Sequence, residues 1–390
     1  MANWIPLCIT LAIQAMVSMA LLTLPVAATV IAQAMDVSAA LTGVYITLVY
    51  TGATLASLAG GPAVARFGPI RVSQAGLLSC TVGLTLCAVP SLACMALGGV
   101  FIGLGYGPMT PASSHLLART TPVHRMSLVF SVKQTGVPVG GVLAGAIVPG
   151  LLLWVGWQST LLIVALANLL CAALAQPLRG ELDADRQPDR PMVLASLAQP
   201  IRMMLTHRAL VRLAAVSFVF SAVQVTLSTY LVIYLKVELS YSLVAAGLAM
   251  SATQIGGVSG RVLWGYVADR WLSARVMLAV LAALMTLCTA TAAVVNGEVP
   301  VFWVTSLLVL FGASAIGWNG VYLAEVAKQA PPGMASMATA GTLAVTFVGV
   351  MIGPMLFGAV SGAGGSFRYG FAFLAIPSAL TLLALLRSPK

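Results

Sequence analysis

Twelve apolar runs follow one another along the chain, at residues 7–32, 39–63, 72–90, 93–117, 126–152, 158–176, 209–235, 242–266, 275–295, 300–325, 336–360 and 367–386. An α-helix needs about 20 residues at 1.5 Å each to cross a hydrocarbon core of roughly 30 Å, and most of these runs are that long. Inside hydrocarbon every backbone N–H and C=O must find its partner within the protein, so successive runs of this kind fold as helices rather than as loops or open sheets. The expected fold class is an all-α polytopic membrane protein. Composition agrees, with 60% hydrophobic and 7% charged residues and a mean hydropathy of +1.03, values that exclude an ordinary soluble domain. The first run reads as a spanning helix and not as a cleaved leader, because no Lys or Arg precedes it and it is roughly twice the length of an h-region.

The formal charge of +10 would suit a nucleic-acid partner, but the basic residues are scattered over short loops with no aromatic-interleaved patch, so none is expected. Their side of the membrane accounts for them. The connections that lead from even to odd helices, with the C-terminus, hold Arg66, Arg71, Arg119, Arg125, Arg179, Arg186, Arg190, Arg202, Arg208, Arg212, Arg270, Arg275, Lys328, Arg387 and Lys390, fifteen of the nineteen Lys and Arg. The opposite side holds Lys236 and Arg368, and Lys133 and Arg261 lie within the runs. By the positive-inside rule both termini are cytoplasmic, in what is expected to be a bacterial inner membrane. So is the one long polar stretch, Pro177 to His207, which reads as a linker with a short surface helix at 191–204. The expected domains are 1–176, a linker at 177–207, and 208–390.

A short charged segment, Gly265 to Arg275 (GYVADRWLSAR), separates two long apolar runs and has an echo 204 positions earlier, at Gly61 to Arg71 (GPAVARFGPIR). At the same offset Ser242 falls on Ser38, Gly247 on Gly43 and Gly256 on Gly52. The chain is therefore one half written twice. Gly265, Asp269, Arg270 and Arg275, between helices eight and nine, resemble the signature loop of the major facilitator superfamily, G-x-x-x-D/E-R/K-x-G-x-R/K-R/K. The earlier copy keeps Gly61, Arg66, Gly68 and Arg71 but has Ala65 in the acid's place and Ile70 in place of a basic residue; the later copy has Leu272 where the second glycine belongs.

That resemblance implies two pseudo-symmetric six-helix bundles, alternating access to a site at their interface, and an inner gate. Arg66, Arg71, Arg261, Asp269, Arg270 and Glu325 are the gating candidates. Gly-rich helices one, two, four, five, eight and eleven are expected to pack closely, since small residues let backbones approach. No Walker motif or nucleotide domain is present, so movement of a solute would draw on a gradient. No cofactor, metal site or enzymatic activity is expected. The six Cys form no C-x-x-C pair, although a Cys87–Cys94 disulfide across a short turn is conceivable. The Met residues read as core filling rather than metal ligands.

Polar residues within the runs are the candidates for solute binding. Lys133 leads, a deep cation in VFSVKQTGVPVGG with no acid nearby, joined by Gln134; snorkelling to the headgroups is its bland alternative. Gln14, Tyr50, Gln224, Tyr230, Gln254, Trp318 and Asn319 complete the set, although interhelical hydrogen bonding would account for any one of them. A deep cation without a deep acid points to a small anionic, carboxylate-like solute carried by a monomeric secondary transporter set in lipid, with protons as a candidate coupling ion. The alternative is a drug/proton antiporter. Members of that group resemble one another in an Arg on helix four and G-P-x-x-G-G on helix five, whereas this chain has Gly99 in the Arg position and Pro138-Val139-Gly140-Gly141. An intramembrane enzyme would need converging acids, His or Cys, and His115 stands alone on its helix. Topology is directly testable: a green fluorescent reporter fused to the C-terminus should fluoresce, and a cysteine at Lys236 should react with an impermeant thiol reagent added from outside.

Overall fold

The computed structural model describes residues 4–122, 126–189, 191–192, 198–331 and 334–387; Arg125, Arg190 and Lys390 of the charge count lie outside the described residues, as does the Asp269 side chain. The first half forms α1 (Ile5–Met35), α2 (Thr42–Phe67), α3 (Pro69–Cys87), α4 (Leu92–Tyr106), α5 (Met109–Thr120), α6 (Met126–Gln134) and α7 (Gly136–Leu174). Two short helices follow, α8 (Arg179–Leu182) and α9 (Ala198–Thr206). The second half forms α10 (Arg208–Val237), α11 (Leu243–Arg270), α12 (Ala274–Val294), α13 (Val301–Gly317), α14 (Asn319–Gln329), α15 (Ala335–Gly364) and α16 (Phe367–Arg387).

Among the described residues, 11 helical segments are long and apolar enough to cross a membrane. One of them, Val132–Leu182, is 51 residues long, far more than a single crossing requires. It turns at Gly156 (φ 78, ψ 172), inside α7. Only glycine takes that conformation cheaply. The turn separates two crossings, as the gap between runs 126–152 and 158–176 predicts. The protein is thus an integral membrane protein with 11 to 12 crossings among the described residues.

Among the described residues, three crossings carry a short interruption of the helical hydrogen-bond pattern, through which the backbone keeps right-handed helical dihedrals. Crossing four lapses at Gly107–Pro108 between α4 and α5, crossing five at Thr135 between α6 and α7, and crossing ten at Trp318 between α13 and α14.

By internal contacts the chain divides into two compact units, Met1–Asp36 with Leu48–Ala195, and Val37–Thr47 with Ser196–Lys390. In the first, α1 packs along α7, and α3 along α4 and α7. In the second, α10 packs along α15, α11 along α13 and α12 along α16. The first turns of α2 belong to this second unit, where Thr47 Oγ1 donates to Met351 O at 2.7 Å.

The sequence repeat has a physical counterpart. Ser38 and Ser242, which share a repeat position, both use the side chain to cap a helix start, accepting from Ala40 N and Ala245 N. Such a cap satisfies a backbone donor that has no partner within the helix. In the first unit a Cβ on Gly103 would overlap the Val49 carbonyl; in the second, one on Gly312 would overlap the carbonyl of Thr253, the repeat partner of Val49. Both crossings bring backbone against backbone. The six cysteines are all unpaired, so no Cys87–Cys94 disulfide forms.

Because backbone cannot yield as a side-chain tip can, Gly312→Val should cost at least the ~1–3 kcal/mol of an overpacked core. Gly265, with nothing near its Cβ position, should accept Ala. Gel filtration of the detergent-solubilised variants reads this out, with aggregation for Gly312→Val and a monodisperse peak for Gly265→Ala.

Candidate functional site

At the α2–α3 turn the acid missing from the first signature copy is supplied from elsewhere. Ile70 N and Arg71 N donate to Asp183 Oδ1 and Oδ2 at 2.7 and 3.0 Å. A carboxylate at a helix start satisfies orphan donors and opposes the positive end of the helix dipole. Asp183 follows α8 and is fully buried. Gly68 (φ 94) admits it, because a Cβ there would overlap its carboxyl group. Two residues on, Asp185 pairs with Arg119 and, at 2.7 Å, with His115 Nε2. Arg119 Nη2 also donates to Leu182 O at 2.7 Å, and Gln187 N to Ala65 O at 2.8 Å. Thus His115, isolated on its helix in the sequence, has a carboxylate partner from the segment after α8.

Burial pushes the Asp183 carboxyl above its ordinary value, against the backbone N–H groups and the nearby Arg179 and Arg186 that pull it down. For Asp185 burial acts the same way, but the His115 hydrogen bond and the Arg119 charge outweigh it and hold the carboxyl below its ordinary value.

The gating candidates make local contacts. Arg66 lies over the Phe67 ring and Arg270 over Tyr266, at 5.4 and 6.0 Å. Arg71 Nη1 reaches Gln74 Oε1 at 3.4 Å, and Arg261 Nε donates to Ile316 O at 3.1 Å. Glu325 is buried and accepts from Gln329 Nε2 at 2.9 Å. Glu238 caps the start of α16: it accepts from Phe367 N and Ser366 Oγ, both at 2.7 Å, and pairs with Arg368 at 3.4 Å.

In the spans of the first unit, Lys133 is 1% exposed and lies in the last turn of α6, next to the Thr135 interruption. Burial of the side chain disfavours the snorkelling alternative, and Gln134 is exposed. Gln14 on α1 is buried against Gly136, three residues beyond Lys133, and its Oε1 has no hydrogen-bond partner among the described residues. Tyr50 packs edge-on against Tyr106 with ring centroids 6.1 Å apart. Tyr106 closes α4 at its interruption and was not singled out from sequence, where nothing but its place before Gly107-Pro108 marks it.

In the second unit three candidates meet at the α13–α14 interruption. Gln224 Oε1 accepts from Trp318 Nε1 at 2.9 Å and from Asn319 Nδ2 at 3.4 Å. Gln254 joins one turn along, where its Nε2 donates to Ser228 Oγ at 3.3 Å. Ser228 was also missed, since a lone serine in an apolar run carries no signal. Tyr230 is placed apart from this group. Its hydroxyl donates to Ala40 O at 2.7 Å and its ring packs on Phe357 and Phe367, so it is committed to the interior of the unit. No group of three or more His, Cys, Asp or Glu suited to a metal occurs among the described residues.

Residues 7–344 match the family model of the Major Facilitator Superfamily. The chain is 23% identical over 315 residues to the benzoate transport protein of Acinetobacter baylyi, covering 72% of this chain and 66% of that protein. It is 26% identical over 305 residues to the gentisate transporter of Corynebacterium glutamicum, covering 74% and 66%. It is 27% identical over 375 residues to the gallate transporter of Pseudomonas putida, covering 86% and 80%. The chain therefore spans just under two thirds of the length of the first two. Among solved structures, the nucleoside transporter NupG superposes with a TM-score of 0.81 at 14% identity, over 97% of this chain and 99% of that one.

The Asp183 clasp is open to a stability test. Asp183→Ala leaves two backbone donors at the start of α3 without their acceptor, and should cost roughly 1–3 kcal/mol. The midpoint of thermal unfolding of the purified protein should fall, while Glu181→Ala, whose side chain caps no helix among the described residues, should leave it in place.

Proposed function

The chain belongs to the major facilitator superfamily, and from that premise we propose that it is a secondary transporter for a small aromatic carboxylate, moved across the membrane by alternating access. It is not an enzyme. The observation that carries the solute class is Lys133, a buried cation in a membrane-spanning helix. A desolvated ammonium is costly unless it meets an anion or other acceptors, and a carboxylate offers two charge-assisted acceptors. The names of the benzoate, gentisate and gallate transporters support the same class. The Tyr50 and Tyr106 rings supply an aromatic surface in the unit that holds Lys133. Gln14, buried beside Gly136, adds an amide in the same unit.

Efflux of cationic drugs is the weaker reading, because that chemistry calls for a deep acid, and Gly99 and Pro138-Val139-Gly140-Gly141 depart from the antiporter patterns. The termini and the segment after α7 are placed in the cytoplasm, following the Lys and Arg asymmetry. Transport is coupled to protons in this reading. The cytoplasmic gate is assigned to Arg66, Arg71, Arg261, Asp269, Arg270 and Glu325.

Proteoliposomes holding the purified protein should accumulate radiolabelled benzoate, gentisate or gallate under an imposed pH gradient. Truncating one partner of a desolvated charge pair typically costs about 2 kcal/mol or more, so Lys133→Met should lower uptake at least tenfold. Undiminished uptake by this variant would remove Lys133 from the site.

A further inference from the structure

Gln14 and Ser18 stand one turn apart on α1, so their side chains share a helix face, and both are 2% exposed. Each keeps a polar atom, Gln14 Oε1 and Ser18 Oγ, that has no hydrogen-bond partner among the described residues. Thr10 and Thr23 on the same helix donate to carbonyls four residues back; Ser18 makes no such bond. A buried polar group without a partner costs free energy in an apolar bundle, and two of them on one face mark a place where something is to be bound.

Close packing fixes where that place lies. A Cβ on Gly136 would lie 2.9 Å from Gln14 Cβ, and one on Gly140 would lie 2.5 Å from Ser18 Cβ. The two contacts advance in the same direction along both helices, so α1 and α7 run parallel here and the two side chains stand against bare backbone. Lys133 precedes Gly136 by three residues, about 5 Å of helix rise, and belongs to the same compact unit. A benzoate ring is long enough to join the two levels.

Donor and acceptor chemistry decides what fits. An amide oxygen only accepts, whereas a serine hydroxyl both donates and accepts. A carboxylate, with no hydrogen to give, leaves Gln14 Oε1 unpaired and sets oxygen against oxygen. An ether oxygen fails for the same reason. A hydroxyl satisfies both atoms, because its O–H donates to Gln14 Oε1 while its lone pair accepts from Ser18.

We propose that Gln14 Oε1 and Ser18 Oγ form a subsite of the first unit that binds a hydroxyl group of the solute, so that the preferred solute is an aromatic carboxylate with a free hydroxyl on its ring. This rests on the aromatic-carboxylate reading above and narrows it through an acceptor that the carboxylate itself cannot serve.

The test is uptake of labelled benzoate and of its 3- and 4-hydroxy, methoxy and methyl derivatives by the full-length protein in proteoliposomes, read as the ratio of kcat/KM for each hydroxyl compound to that for its ether and its methyl analogue. The ether keeps the oxygen and loses the hydrogen; the methyl group matches the hydroxyl in size. At one of the two ring positions the wild type should give ratios of at least ten, since a site built around a hydroxyl rejects analogues that lack its hydrogen. Gln14→Met and Ser18→Ala should each bring those ratios to within threefold of one. Thermal unfolding of the same purified variants separates binding from support. Removing a buried polar atom that has no partner should leave the midpoint in place or raise it, whereas a fall in both variants would assign the two residues to helix packing and overturn the subsite. Uptake of benzoate with wild-type ratios near one, as an inward-facing NH2 or a resident water would give, or ratios that neither variant alters, would also overturn the subsite and leave the carboxylate reading intact. Uptake of none of these compounds would overturn that reading, and the subsite with it.

Discussion

A hydrogen-bonding group inside a membrane helix must either find a partner in the protein or face something wet, and the arrangement of this chain follows from that requirement. Most of its polar side chains satisfy it locally. Thr10, Thr23 and Thr229 donate to carbonyls four residues back along their own helices. Tyr234 and Trp264 reach across to Ala292 O and Ala313 O, both at 2.7 Å. These groups hold helices together and leave nothing over for a ligand. Gln14, Gln224 and Ser228 are a different set, each keeping a donor or acceptor without a partner among the described residues, and the interruption in crossing ten lies beside the indole that orients Gln224.

Close helix contact makes that sorting possible. Where Gly103 meets Val49 and Gly312 meets Thr253, backbone lies on backbone, so dispersion contacts are made along main chain and not through long side chains. The same joint occurs in both units because both descend from one repeated pattern. Carboxylates placed at helix starts work in parallel: Asp183 at α3 and Glu238 at α16 each come from a connecting segment and satisfy donors that the helix itself cannot. Loop acids in this protein thus act on helix ends, where the dipole and the unpaired N–H groups meet.

Most of the fold could be read from the chain alone, because hydropathy and charge asymmetry act over whole segments. The turn at Gly156 falls in the gap between two apolar runs, and the Ser38 and Ser242 caps sit at one repeat position. Part of the candidate site was legible too, since Lys133, Gln224, Gln254, Trp318 and Asn319 stand out as polar residues in apolar surroundings. What escaped depends on contacts between distant residues. Asp183 lies 113 positions from Ile70, and nothing near Ala65 reveals that its missing carboxylate arrives from the segment after α8. Tyr230 looks like Tyr50 in sequence, yet its hydroxyl is taken up by Ala40. The orientation of the Gln224 amide is set by an indole 94 residues away.

The central claim is that a buried ammonium meets the negative charge of the solute. Equilibrium binding of labelled gallate to the purified protein, competed by unlabelled gallate and by its neutral carboxamide, tests it without altering a residue. Displacement by gallate with at least a tenfold weaker effect of the carboxamide is the predicted result; equal displacement by the two would show that the negative charge is not what the protein recognises.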